Sequence, residues 1–132
     1  MGKAVIVGFG RQRAQVARLS KRVMAELGID VEVTIRRHHM TREDLHGFAY
    51  HFNNKHGLLV FKSCPTEMLD EVVAHELVHI KQTLDGRLEF DPERQEFKWL
   101  GELWDQKRLD EVEYTERPWE AEAYSLGKIL AK

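Results

Sequence analysis

The chain has 132 residues, 42% hydrophobic and 32% charged, with a formal net charge of −2; that composition fits one domain, 1–132, with a modest core of its own and argues against disorder. The balanced charge leaves no basic field to draw nucleic acid or an anionic membrane, so neither is expected as a partner. The lone cysteine, Cys64, excludes an internal disulfide and the cysteine-rich zinc ribbons, and no window approaches the roughly 18 apolar residues of a membrane span, so a cytoplasmic protein is the expectation.

The opening run KAVIVGFG, residues 3–10, reads as a short strand or an apolar lead-in. Its Gly8-Phe9-Gly10 begins like a dinucleotide fingerprint, but Arg13 stands where the third glycine belongs, so these are read as turn glycines ahead of a helix. Across 11–27 the apolar residues Val16, Leu19, Val23, Met24 and Leu27 recur at spacings of three and four, and Gly28 follows. That spacing predicts an amphipathic helix with a glycine C-cap and a basic outer face.

Residues 29–35, IDVEVTI, alternate apolar and polar side chains and predict a half-buried strand. Two more strands are expected at 47–52 and 58–61, joined by the turn residues Asn53-Asn54-Lys55-His56-Gly57. Pro65 then breaks the extended chain, and a helix is expected over 67–84, stopping at Asp85-Gly86. Beyond it, 88–94 is polar and turn-rich, 97–104 suggests two short strands around Gly101, and 105–117 is charged and expected as loop. Pro118 suits the first turn of a last helix. The expected class is α+β: a small antiparallel or mixed sheet packed on an N-terminal helix, a central helix and a C-terminal helix.

Inside the central helix, residues 72–82 read VVAHELVHIKQ. His75 and His79 stand at i and i+4, so their imidazoles project from one face a turn apart and can close on a single ion. Glu76 is rotated about 100° from them around the axis, a position from which a carboxylate serves as general base rather than ligand. The flanking Val72, Val73, Leu77, Val78 and Ile80 predict burial, and buried imidazoles and carboxylates cost several kcal/mol unless something pairs or coordinates them. A metal site accounts for all three polar residues together.

A catalytic zinc ordinarily takes three protein ligands and leaves a fourth position for water. No histidine follows His79, so the third ligand is a carboxylate or an upstream histidine. The last helix carries the apolar stripe Trp119, Ala123, Leu126 and Leu130, with Glu120 beside it near the helix start and Glu122 on the far side.

HELVH at 75–79 followed by PWEAEA at 118–123 resembles the gluzincin metallopeptidases, particularly their small single-domain forms, the minigluzincins. Laying Ala123 on the alanine of the gluzincin pattern makes Glu120 the implied third ligand, with Glu122 the alternative. The resemblance implies a zincin-like fold, Zn²⁺ as cofactor, a peptide or protein substrate lying along a sheet edge at 47–52 or 58–63, and hydrolysis by a zinc-activated water with Glu76 as catalytic base. Tyr124 stands where many gluzincins carry an acid, so the group that orients a ligand histidine has to come from elsewhere. Tyr114, Tyr124 and His51 are candidates to stabilise an oxyanion, and Trp99, Trp104 and Trp119 either line a subsite or fill the core. A zinc-stabilised binding or regulatory domain without turnover is the alternative function.

Overall fold

The computed structural model describes residues 2–132 and is α+β. Strand β1 (Lys3–Val7) leads through the turn glycines Gly8 and Gly10, both at positive φ, into helix α1 (Arg13–Leu27), which Gly28 terminates in the left-handed conformation. Strand β2 (Glu32–His38), β3 (Gly47–Phe52) and β4 (Lys55–Phe61) follow, then helix α2 (Leu69–Leu84). The strands form one sheet in the order β1-β2-β4-β3, with β1 and β4 parallel to β2 and only β3 antiparallel. The sheet is thus mixed. α1 is the crossover between parallel neighbours β1 and β2, the connection that parallel pairing requires.

This strand order corrects one edge. β4 is paired on both sides, so residues 58–61 offer no free edge, whereas β3 closes the sheet and presents one. The principal core joins Val16, Leu19 and Val23 of α1 to Val33, Ile35, Leu58 and Val60 of the sheet and to Leu69, Val73, Leu77 and Val78 of α2, all buried. Burying an aliphatic side chain of this size contributes about 1.5–3 kcal/mol, so α2 is held by several such contacts rather than by its intrinsic propensity.

After α2 the chain makes strands β5 (Leu88–Asp91), β6 (Glu96–Trp99) and β7 (Glu102–Trp104), an antiparallel meander. The first of these replaces part of the expected loop at 88–94. A short helix α3 (Gln106–Glu111), with the Asp105 carboxylate accepting from Arg108 N–H at 2.9 Å, replaces part of the loop expected at 105–117. Helix α4 (Pro118–Leu130) ends the fold and begins at Pro118 as expected.

The three tryptophans resolve into core. Trp119 lies 2% exposed in a second apolar cluster with Leu88, Trp104 and Leu109, and Phe97 and Trp99 pack on it. Its ring centroid is 5.1 Å from those of both Phe97 and Trp104. A buried indole is a large hydrophobic anchor. The meander therefore fixes the first turn of α4, the turn that carries Glu120, against the end of α2.

Candidate metal centre

Helix α2 keeps two kinds of side chain out of water: the aliphatic residues of the core and the polar residues Glu76 and Gln82. α4 crosses it closely. A Cβ added at Gly127 would sit 3.1 Å from both the Cα and the backbone nitrogen of His75, so the absent side chain is what lets the two helices approach at that level.

The approach brings three donor atoms to one point. His75 Nε2 and His79 Nε2 lie 3.1 Å apart, and Glu120 Oε1 is 3.1 Å from the first and 3.0 Å from the second. A tetrahedral ion with bonds of about 2.0–2.1 Å separates its donors by roughly 3.3–3.4 Å, so the trio is spaced to receive one with slight expansion. Two imidazole nitrogens and a carboxylate oxygen also make a donor set suited to zinc and its first-row neighbours. His75, His79 and Glu120 could therefore hold a metal ion.

The electrostatics agree with this convergence of lone pairs. Burial pulls His79 toward its neutral form, but the Glu120 hydrogen bond and the charges of Glu76 and Glu120 outweigh it and raise its pKa. Burial pushes the Glu120 carboxyl up, yet hydrogen bonds from His75 and His79 outweigh that and hold it below the usual carboxylate range. In both cases a positive charge at the centre is favoured, whether carried by a proton or by an ion.

Glu122, the alternative carboxylate, faces elsewhere. Arg87 Nη1 donates to both its oxygens at 2.9 and 3.0 Å, and Gln82 Nε2 donates to Oε1 at 3.1 Å. Glu76 lies beside the trio without joining it. It is 8% exposed, burial raises its pKa above the ordinary value, and its carboxylate accepts a hydrogen bond from the Ala49 N–H of edge strand β3.

The group that orients a histidine is Gln82, a residue the sequence pattern does not single out. It is fully buried, its Oε1 accepts from His79 Nδ1 at 2.9 Å, and its Nε2 donates to the Trp119 carbonyl at 3.0 Å. Such a bond fixes the histidine tautomer that leaves Nε2 free for an ion. The available signal was positional: Gln82 is three residues after His79 and so shares its helical face. Tyr124 does a different job from an acid. Its ring packs edge-on against His75, centroids 4.4 Å apart at 65°, and so restricts the imidazole plane.

A half-open cavity of about 390 Å³ adjoins the trio; His46, Gly47, Val72, His75, Glu76 and Tyr114 are among the residues that line it. Tyr114 reaches the centre directly, its hydroxyl hydrogen-bonding Glu120, and burial together with that carboxylate's charge raises its pKa. His51 is not brought to the site: it is exposed, and its Nδ1 pairs with His56 Nδ1 at 3.0 Å across the β3–β4 hairpin. The basic residues Arg11, Arg13, Arg18, Lys21 and Arg22 of the α1 region are solvent-exposed. Among the described residues no helix is long and apolar enough to cross a membrane. No protein-family profile, curated protein sequence or solved structure matches this chain.

Proposed function

We propose that this protein is a zinc-dependent metallopeptidase of the gluzincin type, with His75, His79 and Glu120 as metal ligands, Glu76 as general base and a peptide or protein as substrate. One observation carries the reading: three convergent N/N/O donors meet beside a cavity whose wall includes one of them, His75, together with the buried carboxylate of Glu76, which stands outside the ligand set. A structural zinc site is usually closed by four protein ligands, whereas three ligands beside a cavity leave room for water or substrate.

A bound zinc ion supplies Lewis acidity there, polarising a carbonyl and lowering the pKa of a coordinated water toward about 7. The remaining work falls to the side chains. Glu76, whose pKa is raised by burial, accepts the proton of the attacking water and passes it to the departing amine nitrogen. The Ala49 N–H holds that carboxylate in place. Gln82 and Tyr124 set the planes of His79 and His75. Gly47 keeps strand β3 against α2: a Cβ at that position would lie 2.8 Å from Val72 Cγ1 and 3.2 Å from Glu76 Cγ. An extended peptide added to the free edge of β3 passes beside Glu76 and the trio, a case of strand addition.

The test is a pair of variants followed by both metal content and cleavage of a peptide library. Glu76→Gln is expected to retain zinc and lose cleavage, and His75→Ala to lose both. Retained cleavage in a correctly folded Glu76→Gln protein rules out Glu76 as base. A wild-type protein that holds zinc and cleaves nothing points instead to a metal-stabilised binding domain.

A further inference from the structure

Away from the trio, two more imidazoles converge on the surface of the β3–β4 hairpin. Its turn is Asn53-Asn54, both at positive φ, 51° and 62°, the left-handed pair that a tight two-residue hairpin needs and that Asn adopts readily. The turn fixes the register, and the register sets His51 directly opposite His56. Opposed residues of an antiparallel ladder project from the same face with Cβ atoms about 4.5–5.5 Å apart. The backbone therefore holds the two side chains as neighbours.

Their rings turn toward each other. The centroids are 4.4 Å apart but the Nδ1 atoms only 3.0 Å, so the nitrogens lie on the facing sides of the rings. An ion with imidazole bonds of about 2.0–2.1 Å can take both as neighbouring ligands. His51 is exposed and His56 partly buried, which leaves the approach open to solvent. Without an ion the two nitrogens share one hydrogen bond; moving its proton to Nε2 of the same ring frees both lone pairs with no change of charge. Partial burial and, after it, the charge of His51 lower the His56 pKa, which favours the neutral, ligating form.

No third His, Cys, Asp or Glu joins the pair: among the described residues the trio is the one such group of three. The stacked rings of His38 and His39 differ, because His38 Nδ1 already accepts from the Met40 N–H at 3.1 Å. Two neutral imidazoles with the rest of the shell left to water suit a tetragonal ion, and among the first-row divalent ions nitrogen sites bind Cu²⁺ most tightly. We propose that His51 and His56 form a second metal site, a cross-strand chelate that takes Cu²⁺ through the two Nδ1 atoms and leaves its remaining positions to water. This site is independent of the metallopeptidase reading.

The experiment titrates zinc-saturated protein with Cu²⁺ and follows electron paramagnetic resonance, amide NMR spectra and released zinc. The expected result is an axial, tetragonal copper signal, paramagnetic broadening that starts at residues 50–57, and no release of zinc. His51→Ala and His56→Ala should each weaken the Kd for Cu²⁺ by about 10²-fold, because the second imidazole of a chelate binds intramolecularly at a high effective concentration. Both side chains reach solvent, so neither truncation is expected to disturb folding, and unchanged amide spectra outside the hairpin check this. Copper affinity within twofold of wild type in either variant overturns the proposal. So does broadening centred on His38 and His39, or release of one zinc per copper, which places the copper at the trio. A protein that takes up no zinc refutes the trio as a metal centre, and the broadening at 50–57 then decides on the hairpin site in the metal-free chain.

Discussion

Replacing Gln82 with leucine isolates the bond that orients His79. The side chain is fully buried, accepts from His79 Nδ1 at 2.9 Å and donates to the Trp119 carbonyl at 3.0 Å and to Glu122 at 3.1 Å. Leucine fills a similar volume, so cavity formation is minor and the lost polar contacts dominate. The Trp119 carbonyl retains its helical acceptor role in α4, which leaves His79 Nδ1–H as the main orphan. An unsatisfied buried donor costs about 1–3 kcal/mol, or a fall in Tm of roughly 3–12 °C for a chain of this length. Loss of such a supporting group typically weakens metal binding by about 10–100-fold, equivalent to about 1.4–2.8 kcal/mol.

Gln82→Glu separates the two effects. It keeps an acceptor for His79 but removes the donor to Trp119 and sets a second carboxylate beside Glu122, so Tm is expected to fall while zinc affinity holds or rises. Chelator competition measures the affinity, and thermal unfolding with and without zinc measures the stability. A Gln82→Leu protein whose zinc Kd lies within twofold of wild type would refute the role assigned to Gln82.

Gly127→Ala is expected to push α4 away from His75, because the new Cβ meets backbone at 3.1 Å; overpacking of this kind costs about 1–3 kcal/mol, and both Tm and zinc Kd should register it. Zinc at about 100 times its Kd should stabilise the fold by about 2.7 kcal/mol, so scanning fluorimetry should show a Tm lower by roughly 8–13 °C in excess chelator, and no chelator effect would count against a site in the folded protein. The Glu122 pair predicts an acid dependence. Burial raises that carboxyl, but Arg87 and Gln82 outweigh it and lower its pKa from 4.5. A carboxyl with a depressed folded pKa contributes stability that is present above the unfolded value and lost as pH falls through the folded one. Arg87→Met should therefore flatten the loss of Tm below about pH 4.5, and an unchanged acid limb would remove the pair from the account.

Much of the site can be read along the chain because helical spacing ties residue number to direction. His75, Glu76 and His79 declare their faces within a run of aliphatic residues, and Glu120 lies on the buried side of a helix whose apolar stripe is explicit. Gln82 cannot be distinguished in the same way, since a polar residue in the last turn of a helix is ordinarily solvated, and only the closeness of α4 makes it buried. The parallel pairing of β2 with β4 is hidden because β3 intervenes in sequence and occupies the edge. β5 escapes because Leu88 is its one buried residue, leaving no alternation to detect, and α3 spans only six residues, too few for a helical period.

The most direct test of the central claim is a crystal structure of zinc-loaded protein with anomalous data at the zinc edge. The expected result is one ion bonded to His75 Nε2, His79 Nε2 and a Glu120 oxygen at about 2.0–2.2 Å, with Glu76 outside the ligand set. An ion bound by Glu122, or one seated on the His51–His56 pair with the trio still hydrogen-bonded to itself, would contradict it.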